Sequence, residues 1–102
     1  MHEVKLNLNK KGKGAFLLSE NGHEIGDMAV EVSGNLMTVL HTEVKEELEG
    51  KGYGRKMFDE MVKYARSNEL KVRAVCPYVR VQFMRNKETL SDIWKRDEEE
   101  AF

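Results

Sequence analysis

The stretch His41-Thr42-Glu43-Val44-Lys45-Glu46-Glu47-Leu48-Glu49-Gly50-Lys51-Gly52-Tyr53-Gly54-Arg55-Lys56 decides the fold of this chain. It reads as a strand, a loop, a glycine-rich turn and the start of a helix. Gly50, Gly52 and Gly54 stand at alternate positions, so no side chain covers their backbone N–H groups. The helix that follows offers its positive dipole end and its unpaired N–H groups to the same point. A phosphate or pyrophosphate suits such a turn. Lys51, Arg55 and Lys56 add positive charge around it. The plainer reading is a mobile loop whose glycines serve only to turn the chain. The spacing is not the dinucleotide fingerprint Gly-x-Gly-x-x-Gly, and no Gly-Lys-Ser/Thr follows to make a P-loop.

Downstream of the turn, Tyr53, Met57, Phe58, Met61, Val62 and Ala65 recur at helical spacing. Arg55, Lys56, Asp59, Glu60, Lys63 and Arg66 fall on the other face, so the apolar stripe is core packing. Ser67-Asn68 ends this helix. Leu70 to Cys76 follows as a strand, and a strand after a crossover helix lies parallel to an earlier one. Pro77 opens a short helix, where its missing N–H costs nothing. Val79, Phe83 and Met84 give that helix a sparse apolar side, and Leu90, Ile93 and Trp94 anchor a final segment. From about residue 96 the chain is a charged tail, with Asp97 to Glu100 as a solubilising end.

Upstream, Val4 to Leu8 alternates apolar and polar residues, as a half-buried strand does. Asn9 to Gly14 is a turn carrying Lys10, Lys11 and Lys13, which reads as a solvated tip or a contact for an anionic partner. Ala15 to Ser19 is a second strand, and Glu20-Asn21-Gly22 is a hairpin turn because Asn and Gly tolerate positive φ. His23 to Val32 is a third strand whose alternation breaks between Ile25 and Met28, which predicts a bulge at Gly26. After Ser33-Gly34-Asn35, Leu36 to Thr42 is a fourth strand.

At 102 residues the chain is one domain, residues 1–102, with no internal repeat or linker. Its 40% hydrophobic and 34% charged residues give an ordinary soluble balance that argues against disorder. The net charge of −1 implies no bulk attraction to nucleic acid, and the basic turn has no aromatic platform for bases. No apolar run approaches the ~20 residues that span a bilayer, and Met1-His2-Glu3-Val4-Lys5 lacks a signal-peptide core. A single cysteine, Cys76, excludes an internal disulfide and points to the reducing cytoplasm. His2 and His23 are isolated, and Cys76 with one histidine is short of a closed metal shell, so no metal site is expected.

The order of elements makes an α+β domain. With the fourth and fifth strands as neighbours, His41 and Cys76 share their carboxyl ends, and the glycine turn leaves from the same edge. Open sheets gather ligands there. The segment His41 to Val44 and the glycine turn, followed by Cys76-Pro77-Tyr78-Val79, resemble the GCN5-related N-acetyltransferase (GNAT) family. More narrowly, they resemble the branch whose members are about as short as this chain. The resemblance runs from about Ala15 to Trp94 and is specific from His41 to Tyr78.

That resemblance implies an acyl-CoA N-acyltransferase fold. Its sheet is mixed and mostly antiparallel, its parallel fourth and fifth strands splay for the cofactor, and helices lie on both faces. In the family, the acetyl-CoA pyrophosphate rests on an (Arg/Gln)-x-x-Gly-x-(Gly/Ala) turn. Gly52 and Gly54 match the glycine positions, while Glu49 stands where Arg or Gln is usual. An acid there is expected to point outward or cap the turn. The implied cofactor contacts are Thr42, Glu43 and Val44 along pantetheine, Glu49, Gly50, Lys51, Gly52, Tyr53, Gly54 and Arg55 at the pyrophosphate, and Cys76 near the thioester. Larger members carry extra N-terminal helices that form much of the acceptor site. This chain starts directly with strands, so its acceptor site is expected to be open or completed by a protein partner.

The implied chemistry is acetyl transfer from acetyl-CoA to an amine of unspecified identity. In a direct route, His41 takes the amine's proton by virtue of its residue type. Glu43 is a second candidate, acting through water, and Tyr78 returns a proton to the thiolate. The competing reading of His41 is a strand residue satisfied by neighbouring backbone. In a covalent route Cys76, just ahead of a helix N-terminus, accepts the acetyl group first. Its competing reading is a small buried apolar residue. A reading of another class is a CoA-binding sensor that catalyses nothing.

Overall fold

The computed structural model describes residues 1–96, so the charged end from Asp97 to Glu100 lies outside the described residues. Five strands follow one another across a single sheet: β1 (His2–Leu8), β2 (Lys13–Glu20), β3 (His23–Ser33), β4 (Leu36–Val44) and β5 (Lys71–Ala74). β1 to β4 pair antiparallel and β4 pairs parallel with β5. A 3-10 turn at Glu46–Leu48 leads into α1 (Tyr53–Ser67), which crosses from β4 to β5. Helices α2 (Pro77–Arg85) and α3 (Lys87–Leu90) close the chain. This is the expected α+β architecture. Among the described residues, no helix is long and apolar enough to cross a membrane.

The turn chemistry behaves as read. Asn21 (φ 50°) and Gly22 (φ 86°) form the left-handed pair that closes a tight hairpin between β2 and β3. β5 is shorter than expected. Leu70 gives its N–H to Ala65 O at the end of α1, while the Val75 and Cys76 N–H groups both turn to Val39 O. Only Lys71 to Ala74 remain for the ladder.

Two bulges set the faces of the sheet. Leu18 pairs with Gly26 and Ser19 with Glu24, leaving Ile25 as the extra residue beside the expected glycine. The second bulge was not expected. Ala29 pairs with His41 and Val30 with Val39, which leaves Leu40 unpaired in β4. One extra residue reverses the alternation of everything beyond it. Met37 and Val39 face the core before the bulge, and Thr42 and Val44 share that face after it. His41 and Glu43 therefore point to the opposite side.

The core lies on one face of the sheet. Phe16, Leu18, Met28, Val30, Met37, Val39, Val72 and Ala74 supply it from the strands. Met57, Phe58, Met61, Val62 and Ala65 cover it from α1, and Val79 and Phe83 from α2. Phe83 stacks on Trp94 with centroids 5.5 Å apart and meets Phe58 edge-on at 5.6 Å, so α1 and α2 share one apolar cluster. The fold class is the expected one, but the helices gather on this face instead of covering both. The strands dictate this, because beyond the bulges their apolar positions alternate with small or polar ones. On the other face Ala15, Leu17, Ala29 and Leu40 are only half-buried, and Lys5, His41, Glu43, Lys71 and Arg73 are exposed.

Candidate functional site

The pairing of β4 with β5 stops at Val39 and Ala74, yet β4 runs on to Val44. Among the described residues its edge beyond Val39 thus has no strand beside it. β5 gives way at once to α2, whose first residue is Pro77. The widening gap opens into a cleft of about 320 Å³ beneath the starts of α1 and α2. Thr42, Val44 and Leu48 form one wall, the turn from Glu49 to Arg55 forms another, and Tyr78 faces them.

The glycine turn is built as a bare cradle. Gly50 (φ 81°) and Gly52 (φ 82°) adopt the left-handed conformation, and Gly52 is the N-cap of α1. Among the described residues no side chain caps this helix, and its first turn holds no acidic residue. The first intrahelical bond is Lys56 N–H to Gly52 O at 3.3 Å, so the N–H groups of the preceding residues lack intrahelical acceptors. The physics of such a helix end suits an anion. Gly54 serves a different purpose: a Cβ there would lie 3.4 Å from the ring of Tyr78, which leans across the cleft onto it.

Charge at the cleft is tied down. Arg55 donates from Nε to Asp59 Oδ1 at 2.8 Å and from Nη1 to Gln82 Oε1 at 3.4 Å, and the Asp59 hydrogen bond raises its already high pKa. Burial pushes the Tyr78 phenol above its usual value, with the Arg55 charge opposing. Glu49 is exposed at the rim, and its N–H caps the 3-10 turn through Glu46 O at 3.2 Å. Lys51 is exposed outside the lining.

The remaining candidates stand apart from the cleft. Cys76 is 2% exposed, and its Sγ lies 3.4 Å from Thr42 Oγ1, so the thiol is covered by the strand residue that lines the cleft. His41 sits on the open face with Nε2 3.9 Å from Asp27 Oδ2. Glu43 is the cross-strand neighbour of that aspartate. The structure therefore unites Thr42, Val44, the turn and Tyr78, and places His41 and Glu43 across the sheet. Sequence reasoning missed two contacts to the turn. His2 and Glu20, from the far end of the sheet, reach Tyr53. Their only sequence signal is the β1–β2 hairpin itself.

A family profile described as GCN5-related N-acetyl-transferase matches residues 15–93. A search of curated proteins finds no match. Among solved structures, the ribosomal-protein-S18-alanine N-acetyltransferase of Escherichia coli superposes with a TM-score of 0.58 at 15% identity. That match covers 63% of this chain and 42% of the other, so this chain spans less than half of that protein's length. A GCN5-like protein from Staphylococcus aureus gives 0.64 at 23% identity, over 92% of this chain and 90% of its own. A ribosomal-protein-alanine N-acetyltransferase from Brucella melitensis biovar Abortus 2308 gives 0.68 at 12% identity, over 96% and 94%. At these identities the likeness is one of fold. The profile match over most of the chain, on a sheet splayed in this way, shows that the chain belongs to the GCN5-related N-acetyltransferase family of acyltransferases.

Proposed function

We propose that the cleft holds acetyl-CoA and that the chain passes the acetyl group directly to an amine. One observation carries this reading: the uncapped, acid-free start of α1 opens behind two left-handed glycines into the same cleft as the unpaired edge of β4. An anionic head and an extended amide-bearing arm need those two features side by side. The amides from Gly50 to Arg55 take the pyrophosphate, with Lys51 and Arg55 nearby. Backbone groups of Thr42, Glu43 and Val44 pair with the pantetheine arm.

The bound donor supplies an activated acyl thioester. Tyr78 is the group that gives a proton to the departing thiolate, since it faces the cleft and a phenol is protonated at neutral pH. His41 and Glu43 are the proton-accepting types beside the β4 edge, which brings the acceptor in over the open face of the sheet. The depth of Cys76 behind Thr42 favours direct attack over an acetyl-cysteine intermediate. Cys76 then contributes to packing beside the thioester.

Calorimetric titration with acetyl-CoA, followed by intact-mass measurement and a CoA-release assay against a panel of amines, tests this reading. Saturable one-to-one binding, no acetyl adduct on Cys76 and turnover with at least one amine are expected. Absence of binding by the folded protein overturns the reading of the cleft. An adduct on Cys76 overturns direct transfer, and binding without any turnover marks a sensor.

A further inference from the structure

We propose that His2 and Glu20 are positioning residues that clamp Tyr53 and so hold the glycine cradle in its ligand-ready shape. This rests on the reading of the cleft as the acyl-CoA site. Tyr53 stands between Gly52 and Gly54, so its side chain is a handle on a segment with a glycine on either side. Its hydroxyl donates to Glu20 Oε2 at 3.4 Å. His2 Nε2 lies 2.8 Å from the same carboxylate oxygen and 3.2 Å from the tyrosine hydroxyl. The His2 and Tyr53 rings also meet at 4.9 Å, tilted by 46°.

The other half of the clamp belongs to the sheet. His2 and Glu20 are cross-strand partners at the end of the β1–β2 hairpin. A carboxylate and an imidazole fixed by a sheet thus grip the first residue of α1, 51 positions from His2 and 33 from Glu20. A flexible glycine turn loses conformational freedom when it closes on a ligand, and a turn already ordered loses less. The contacts touch no reacting atom. Their effect is therefore on donor affinity and not on the chemical step.

The test uses the full chain, with acetyl-CoA as the probe, in Glu20→Ala, Tyr53→Phe, His2→Ala and the Glu20→Ala/Tyr53→Phe double variant. Glu20→Ala and Tyr53→Phe should each weaken acetyl-CoA binding roughly three- to tenfold, the equivalent of one net hydrogen bond. In Glu20→Ala, which lies outside the cleft, KM for acetyl-CoA should rise in step while kcat stays unchanged. The double variant should be no worse than the poorer single one, because both remove the same contact. Glu20→Gln, which still accepts from the tyrosine, should restore most of the affinity. Amides from Gly50 to Arg55 should exchange hydrogen faster in Glu20→Ala while the rest of the protein keeps its rates. Unchanged affinity in the variants, additive losses in the double variant, or a matching fall in kcat overturns the clamp while leaving the cleft reading intact. Failure of the wild type to bind acetyl-CoA overturns both.

Discussion

Replacing Gly52 by alanine separates backbone conformation from space, because the structure fixes both. A Cβ at Gly52 would have no atom of the described residues within 4 Å, so alanine meets no obstacle there. The residue nonetheless holds φ at 82° as the N-cap of α1, a conformation that costs an L-residue about 1–2 kcal/mol. Gly52→Ala should therefore lower stability by that amount, which at a urea m-value of about 1–3 kcal/mol/M moves the midpoint down by roughly 0.3–2 M. Gly54 is the internal control. Its φ is not in the left-handed range, it lies inside α1, and a methyl group would rest on Tyr78 at 3.4 Å in ordinary contact. Gly54→Ala should be neutral or gain up to about 0.5–1 kcal/mol in helix propensity. Urea unfolding followed by circular dichroism, without ligand, reads both. The two must separate: a Gly52→Ala protein as stable as the wild type, or a Gly54→Ala protein less stable than Gly52→Ala, would refute the conformational account of the turn.

Phe83→Ala removes a ring with no solvent exposure that bridges Phe58 and Trp94, and should cost about 3–5 kcal/mol in urea unfolding. The Arg66 guanidinium binds both oxygens of Asp92, at 3.0 and 3.1 Å, and holds that carboxyl below its usual pKa. A depressed carboxyl stabilises the fold above its unfolded pKa of about 3.9, and that contribution is lost as pH falls through the folded value. Asp92→Asn should flatten part of the acid limb of a stability–pH profile; being exposed, the pair should count for little, and less in high salt. Tyr78→Phe should lower kcat by about 10²-fold or more with a smaller change in acetyl-CoA affinity, measured by CoA release. Cys76→Ala should retain most of the turnover in the same assay.

The meander was legible because its punctuation is chemical. Asn21-Gly22 makes a left-handed hairpin turn, and Gly26 marks the bulge at Ile25. Helix α1 was legible from one apolar stripe, and its glycine entry from residue type alone. What stayed hidden depends on a single residue, Leu40. A bulge at a leucine carries no glycine to announce it, yet it turns Thr42 into the cleft and His41 away from it. The expected convergence of His41 with the cradle came from placing residues at strand ends without knowing that parity. The same limit explains the helices. One-faced burial follows from strand faces, and those are fixed only once both bulges are counted. Contacts such as His2 to Tyr53 arise from the pairing of β1 and β2 beside α1, and no local pattern encodes them.

An amide-resolved NMR titration with acetyl-CoA tests the site most directly. The largest shift changes should fall on Thr42 to Val44 and on Gly50 to Arg55, with the signal of Tyr78 moving alongside them. Changes concentrated elsewhere, such as the hollow lined by Lys87, Glu88 and Trp94, or no change in a folded protein, would contradict the assignment of this cleft to the acyl donor.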